Sequence, residues 1–336
     1  MSNPIKRVMF FTPYYYQNRG NATTARRLEH GLSDEVNINV FAYEEMAYDS
    51  SVIQCMENAD VIHILQFARF VDWAENYDLT LSKPYIVTSG GTDINHSLAE
   101  DRNRYLPFLI KAKAVTVFSN QAKSMLVKDH GLKEEFVHVI PQSVYLPETG
   151  GSEEELNLPA GSPNILLPAG LRPVKDVLFA CKSIQKLKED FPDITFLIVG
   201  ANLDQNVYCQ VHDATKRNSW LRYSSEVDLS TMKELYEWAD IVLNTSISEG
   251  QPTSILEAMS LGKPVIARVN TGNSSIIQQH VNGMLFQTHE ELYESLKKVL
   301  SDKNVYEVLV KNGYQTIVEN HTIKQEINSY LHLYKH

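Results

Sequence analysis

"NILLPAGLRPVKDVLFACKSIQKLKED", residues 164–190, decides the fold. A short apolar run ends at Gly170, a tight turn follows, and apolar residues then recur at helical spacing. Strand, turn and helix in that order form the unit from which parallel sheets are wound. The same rhythm precedes it in "RVMFFTP" (7–13), "NINVFAY" (37–43), "VIHIL" (61–65), "PYIVTS" (84–89), "AVTVFS" (114–119) and "FVHVIPQSV" (136–144). It continues in "ITFLIVG" (194–200), "WLRYSS" (220–225), "DIVLNTS" (240–246), "PVIARV" (264–269) and "GMLFQ" (283–287). Near-continuous apolar strands separated by helix-length segments specify parallel sheets covered on both faces.

Between the two series lies "YLPETGGSEEELNLPAGSP" (145–163), which has no period and reads as a linker. A chain of 336 residues exceeds one ordinary core, at about 100 to 200 residues per domain. The expected architecture is α/β, with two doubly wound Rossmann-like domains facing a cleft. The first spans 1–148, the linker 149–163 and the second 164–318, and a C-terminal helix at 319–336 has the apolar spacing to pack back across either domain, the first being one of the two options. Ligands are expected beyond the carboxyl ends of the strands.

Composition excludes several classes. The 43% hydrophobic and 21% charged residues are those of a globular protein, and no apolar run is long enough to span a bilayer. The apolar run after Arg7 is too short for a signal peptide. Cys55, Cys181 and Cys209 are far apart and in no metal or disulfide spacing, so a cytoplasmic protein is expected. A net charge of -10 repels nucleic acid and leaves small phosphate-bearing partners held by local cations. Membrane contact is not expected. One basic stretch, Arg102 to Lys133 with Arg104, Lys111, Lys113, Lys123 and Lys128, is either a solvated face or a patch for an anionic acceptor or membrane.

Four polar signatures follow strand ends. In "NRGNATTARRLEHGL", Gly20 and Asn21 precede a helix expected near Ala22, and Asn21 is either a plain N-cap or part of an anion site. In "TSGGTDIN", Gly90 and Gly91 permit close backbone approach, while Thr92, Asp93 and Asn95 offer oriented polar groups; the same run is also good turn chemistry. His96 beside it reads as a surface or packing residue, and His63 fits no metal spacing. In "PAGLRPVKD", Arg172 and Lys175 flank a helix expected to begin near Pro173, and two cations at a positive helix end suit a diphosphate, with Lys175 on a solvated face as the alternative. In "SISEGQPTSILEAM", Pro252 is expected at the first helical position, with Glu249 before it and Glu257 inside the helix. Glu257 is either a ligand group or the partner of Ser254 in a capping box. No GxGxxG or GxxxxGK[ST] motif occurs.

Glu249-x7-Glu257 in "EGQPTSILEA", with "GLRPVKD" upstream, resembles the retaining glycosyltransferases of family 4, which have the GT-B fold. The likeness covers nearly the whole chain and is most specific in its second half. "IPQSVYLP" (140–147) is similar to the segment ending the family's first domain, with Gln142 and Ser143 where Asn-Gly is common. "GNATTA" and "GGTDIN" resemble a subgroup that includes glycosyltransferase-1-domain-containing proteins and selenosugar synthases.

The resemblance implies a donor-binding second domain and an acceptor-side first domain. Arg172 and Lys175 would stabilise the departing diphosphate, and Glu249 would contact the donor sugar. Gly250, Thr253 and Ser254 would meet the phosphates, Glu257 the ribose, and backbone near Tyr223 the base, with Gly170 and Gly200 completing the donor set. Gly20, Asn21, Gly91, Thr92 and Asp93 would join from the first domain. Many relatives carry a His in the loop filled here by Gly90 to Asp93, so Asp93 or Asn95 takes that place. The implied reaction is metal-independent retaining transfer of a hexose or N-acetylhexosamine from a UDP-sugar, the co-substrate, to a small acceptor, with no cofactor. Two alternatives stand beside it: a nucleotide-sugar 2-epimerase, for which no convincing acid and base set is found, and a non-catalytic nucleotide-sugar-binding regulator. Oligomeric state is not legible.

Overall fold

The central apolar runs become strands buried on both faces, as a parallel sheet between helices requires, while edge strands such as Asn37–Ala42 and Leu221–Ser224 are only partly buried. A computed structural model describes residues 6–17, 19–147 and 158–335. In it β1 (Arg7–Thr12), β2 (Asn37–Ala42), β3 (Val61–Leu65), β4 (Tyr85–Thr88), β5 (Ala114–Val117) and β6 (Val137–Val139) form one parallel sheet of order β2-β1-β3-β4-β5-β6. The second sheet comprises β7 (Asn164–Pro168), β8 (Thr195–Val199), β9 (Leu221–Ser224), β10 (Ile241–Asn244), β11 (Val265–Arg268) and β12 (Met284–Phe286), in the order β12-β11-β10-β7-β8-β9. Each expected strand run contains one of these strands.

Alternation of side chains divides each core in two. Val8 and Phe10 enter one apolar cluster of the first sheet, while Met9 and Phe11 enter the other. In the second sheet Ile165 and Leu167 face one cluster and Leu166 the opposite one. The chain divides into two compact units, residues 1–143 with 322–336, and residues 144–321. Residues 149–157 of the expected linker lie outside the described residues. The part that is described is docked on the second unit: Trp238 Nε1 donates to Pro159 O at 3.2 Å and Ser162 N to Asp193 O at 2.9 Å.

The helix Ile323–Lys335 completes the first unit, with Ile327, Tyr330, Leu331, Leu333 and Tyr334 in the cluster beneath β1. Its Glu326 receives Arg27 in two bonds, Nε to Oε2 at 2.9 Å and Nη2 to Oε1 at 3.0 Å, and also Ser143 N at 3.0 Å. Arg27 additionally donates to Gln142 Oε1 at 2.9 Å. Gln142 and Ser143 therefore anchor the returning helix.

Under the same helix His63 is fully buried, its ring nitrogens 2.7 Å from Tyr334 Oη and 2.7 Å from Thr88 Oγ1. Burial holds its pKa down at about 3. The folded imidazole thus stays neutral while the unfolded one protonates below about pH 6.5, so stability is full above that pH and falls as pH drops toward 3. Acidification should remove up to about 1.4 kcal/mol per pH unit through this residue. Urea titrations of wild type and His63→Gln at several pH values check it: the variant should lose part of the acid slope, and an unchanged slope refutes the assignment.

The basic stretch is partly neutralised, through two of its cations. Arg104 pairs with Asp72 at 2.9 Å and with Glu75, Lys123 pairs with Glu134 at 3.3 Å, and Arg102 donates to His130 O at 3.1 Å. Among the described residues no helix is long and apolar enough to cross a membrane.

Candidate active site

In the second sheet β7 and β10 are neighbours, yet the chain leaves β7 for β8 on one side and later fills β10 on the other. Crossovers departing in opposite directions leave a crevice at the carboxyl ends of such a strand pair. Lys175 follows β7 and Glu249 follows β10, and they meet: Lys175 Nζ lies 2.5 Å from Glu249 Oε1. Their side chains are only 16% and 12% exposed, so the attraction acts with little solvent screening.

The turn carrying Lys175 differs from the expected helix start. Pro173–Lys175 is a single 3-10 turn, Asp176 takes the left-handed conformation with φ 42°, and the α-helix begins only at Ala180. The left-handed residue interrupts the helical path, so Arg172 and Lys175 flank a tight turn and not an α-helix end. Two bonds pin that turn to the loop after β10, Thr245 Oγ1 to Lys175 O at 2.8 Å and Ile247 N to Val174 O at 2.8 Å. Arg268 Nη1 holds Asp176 Oδ2 at 2.7 Å and its guanidinium lies 4.5 Å over the Phe179 ring. Arg172 is exposed at the start of the turn.

Asn244 Nδ2 donates to the same Glu249 Oε1 at 3.3 Å. Asn244 Oδ1 in turn accepts from Ser246 N at 3.0 Å and Asn273 Nδ2 at 3.1 Å. Burial pushes the Glu249 carboxyl up, but the charge and hydrogen bond of Lys175, with bonds from Ser246 and Asn244, outweigh it and hold the group below its ordinary range. Glu249 is consequently a carboxylate at neutral pH. Gly272 packs on it so closely that an added Cβ would lie 2.7 Å from Glu249 Cβ and its backbone carbonyl. Gly272→Ala should displace the Glu249 loop and lower turnover about tenfold with the fold intact; steady-state rates and circular dichroism together check this, and wild-type turnover contradicts it.

The helix Thr253–Ser260 starts next to this loop, with Pro252 as its N-cap and not at the first helical position. It has no side-chain cap and no acid in its first turn, so the backbone N–H groups of Thr253 and Ser254 lack helical acceptors and favour an anion. The Ser254–Glu257 capping box does not form. Glu257 is only 4% exposed, and its Oε2 accepts Tyr236 Oη at 2.6 Å. A buried phenol needs an acceptor, and Glu257 supplies it from one turn inside the helix. Gly250 lies in the loop between Glu249 and this helix.

Gly170, Gly200 and Tyr223 gather at the ends of β7, β8 and β9. A Cβ on Gly200 would strike the Ala169 carbonyl, so only glycine allows the chain to pass this close beyond the paired ends of β7 and β8. Tyr223 Oη donates to Gly200 O at 2.9 Å, and its ring meets Tyr208 edge-on at 5.9 Å.

In the first unit the helix begins at Gly20, not Ala22, and Asn21 does not cap it; Arg19 is the N-cap. The Asn21 carboxamide oxygen instead sits 3.3 Å from where a Gly90 Cβ would be, which joins the loops after β1 and β4. Gly91 is partly exposed and Thr92 exposed beside it. Asp93 is fully buried, and its oxygens accept from Ser89 Oγ at 2.5 Å, Gly91 N at 3.0 Å, Ile94 N at 3.1 Å and Phe67 N at 3.2 Å. Burial raises its pKa against those bonds. The Asp93 side chain, expected to face the donor, is thus occupied in holding its own loop.

Sequence reading missed Asn244, Arg268, Gly272 and Asn273. The polar run "RVNTGNSS" (268–275) after a strand was the available signal. Among the described residues no group of three or more His, Cys, Asp and Glu side chains is arranged to hold a metal ion.

Residues 152–316 match the family described as Glycosyl transferases group 1. Glycosyltransferase 1 domain-containing protein 1 of Xenopus tropicalis is 26% identical over 93% of this chain and 92% of its own length. The UDP-Gal:alpha-D-GlcNAc-diphosphoundecaprenol alpha-1,3-galactosyltransferase of Escherichia coli is 25% identical over 64% of this chain and 58% of its own. In fold, the chain is similar to HepE of Anabaena, solved with UDP and glucose, with TM-score 0.79, 16% identity and coverage of 97% and 98%. The two sheets are those of the GT-B type.

Proposed function

We propose that this chain, a glycosyltransferase carrying a glycosyl transferases group 1 domain over residues 152–316, moves a hexose or N-acetylhexosamine from UDP to a small acceptor with retention and without a metal. The observation that carries this reading is the Lys175–Glu249 pair at the β7/β10 switch point, beside the uncapped helix at Thr253. A UDP-sugar presents two anionic phosphates and a sugar whose anomeric carbon becomes positive as the bond to phosphate breaks. The pair offers both signs. Lys175 can donate its remaining protons to the leaving phosphate while Glu249 faces the developing oxocarbenium charge. Arg172 and the Thr253 and Ser254 N–H groups add the donors that a protein of net charge -10 must concentrate locally.

The grip of Lys175 on Glu249 Oε1 supports front-face attack over a covalent glycosyl-enzyme. A carboxylate clamped by a cation is a weakened nucleophile and a well-placed electrostatic group. In front-face attack the acceptor's proton passes to a leaving-phosphate oxygen, and no separate protein base is required. HepE and the pneumococcal GtfA were both solved with UDP, which favours uridine among the donors.

Acceptor-free incubation with UDP-sugars and GDP-sugars in EDTA tests the reading. Slow UDP release that EDTA does not alter is expected, with GDP-sugars poorer. Sugar inverted at C2 but still attached to nucleotide points to an epimerase. Binding with no release under any acceptor points to a regulator, and activity restored only by a divalent cation refutes metal independence.

A further inference from the structure

The first sheet has a switch point of its own. Its order β2-β1-β3-β4-β5-β6 places β1 beside β3, with β2 filled on one side and β4 on the other. Tyr14 follows β1, and Arg69 lies in the first turn of the helix Phe67–Glu75 that follows β3. Two guanidinium groups converge on this one ring: Arg19 Cζ lies 4.1 Å and Arg69 Cζ 5.6 Å from its centroid, and Arg69 Nη1 donates to Tyr14 Oη at 3.1 Å.

These cations are not neutralised in the way others in the chain are. Arg7, Arg27, Arg104 and Arg268 each pair with a carboxylate. Neither Arg19 nor Arg69 has an ion pair among the described residues, and Arg19 Nε is buried without a hydrogen-bond partner there. Arg19's charge acts on Glu45, but Glu45 accepts backbone N–H groups of Tyr15, Tyr16 and Gln17 at 2.7, 2.9 and 3.0 Å, so it braces the loop. Two like charges gathered on an aromatic face at a ligand crevice, with only the loop-bracing Glu45 carboxylate near Arg19, favour a further anion that bonds to both.

From this the geometry points to an acceptor that carries an oxyanion, phosphate or carboxylate, bound by Arg19 and Arg69 against Tyr14. The inference rests on the transferase reading given above, in which the donor diphosphate is served by Arg172, Lys175 and the Thr253 helix start of the other unit. A guanidinium fork suits paired oxygens, and the Tyr14 ring holds both forks in place. Nothing in this cradle rewards a neutral sugar or alcohol over its charged counterpart.

Matched acceptors test it: glycerol against glycerol 3-phosphate and glycerate, and glucose against glucose 6-phosphate and gluconate, each with a turnover-competent UDP-sugar. Charged members should stimulate UDP release at least about tenfold more than neutral parents, and Arg19→Gln with Arg69→Gln should bring that ratio near one. The ratio cancels any general loss of turnover. Phosphate members alone being preferred identifies phosphate, and glycerate and gluconate being equally good identifies a general oxyanion. Equal use of neutral and charged members, or a ratio untouched by the double variant, overturns the proposal. Calorimetric titration of inorganic phosphate with saturating UDP reads the site without turnover. Affinity at least about tenfold weaker in the double variant supports the anion site even if no donor is ever cleaved, in which case only the transferase reading falls. Unchanged phosphate binding overturns the site itself.

Discussion

Lys175→Met should lower the rate of UDP release about a hundredfold or more, with the donor's binding affected far less. The reason lies in when its charge matters. The ground-state diphosphate already carries its charge in water, whereas the leaving phosphate gains charge as the glycosidic bond lengthens, so a cation fixed at the switch point contributes most in the transition state. Glu249 strengthens this by holding Nζ at 2.5 Å in a largely desolvated setting. Glu249→Gln should therefore cost a similar factor, since it removes both the charge proposed to face the sugar and the anchor of the cation. The two act as a unit, so the Lys175→Met, Glu249→Gln double variant should fall little below either single one. Single-turnover UDP release measures all three; additive losses, or single losses within about threefold of wild type, contradict the coupled role.

Arg27→Met or Glu326→Gln should each destabilise the protein by about 3–5 kcal/mol, because either leaves a buried charge without its partner. Both side chains are essentially inaccessible, and Glu326 also accepts Ser143 N. The Arg27→Met, Glu326→Leu pair should recover part of the loss, since an apolar pair avoids the desolvation cost, but not all of it, because Ser143 and Gln142 then lose bonds. Urea midpoints check this. Single variants within about 1 kcal/mol of wild type would mean that the returning helix is held by its apolar face alone.

Fold was legible wherever the physics is local. β3 "VIHIL" and β8 "TFLIV" are buried on both faces, and an apolar run of that length between helix-period segments has few other solutions. Pro252 and the glycines marked their turns for the same reason. Legibility ended where two segments compete for one side chain. Glu257 lies three residues after Ser254, which suits a capping box, but Tyr236 of a different helix claims it. Asp93 sits in a loop of polar residues, yet the N–H groups of Gly91, Ile94 and Phe67 take its oxygens.

By itself the amino-acid sequence determined the strands, their parallel winding, and the polar residue types that gather at the strand ends, since periodicity and turn chemistry act over a few residues. Only the tertiary structure decided which of them touch. Lys175 and Glu249 are 74 residues apart, and Arg27 and Glu326 are 299 apart. Arg19 and Arg69 likewise meet on Tyr14 from separate strand ends. Such pairings depend on strand order, and that order is set by how whole apolar faces pack, not by the neighbours of either residue.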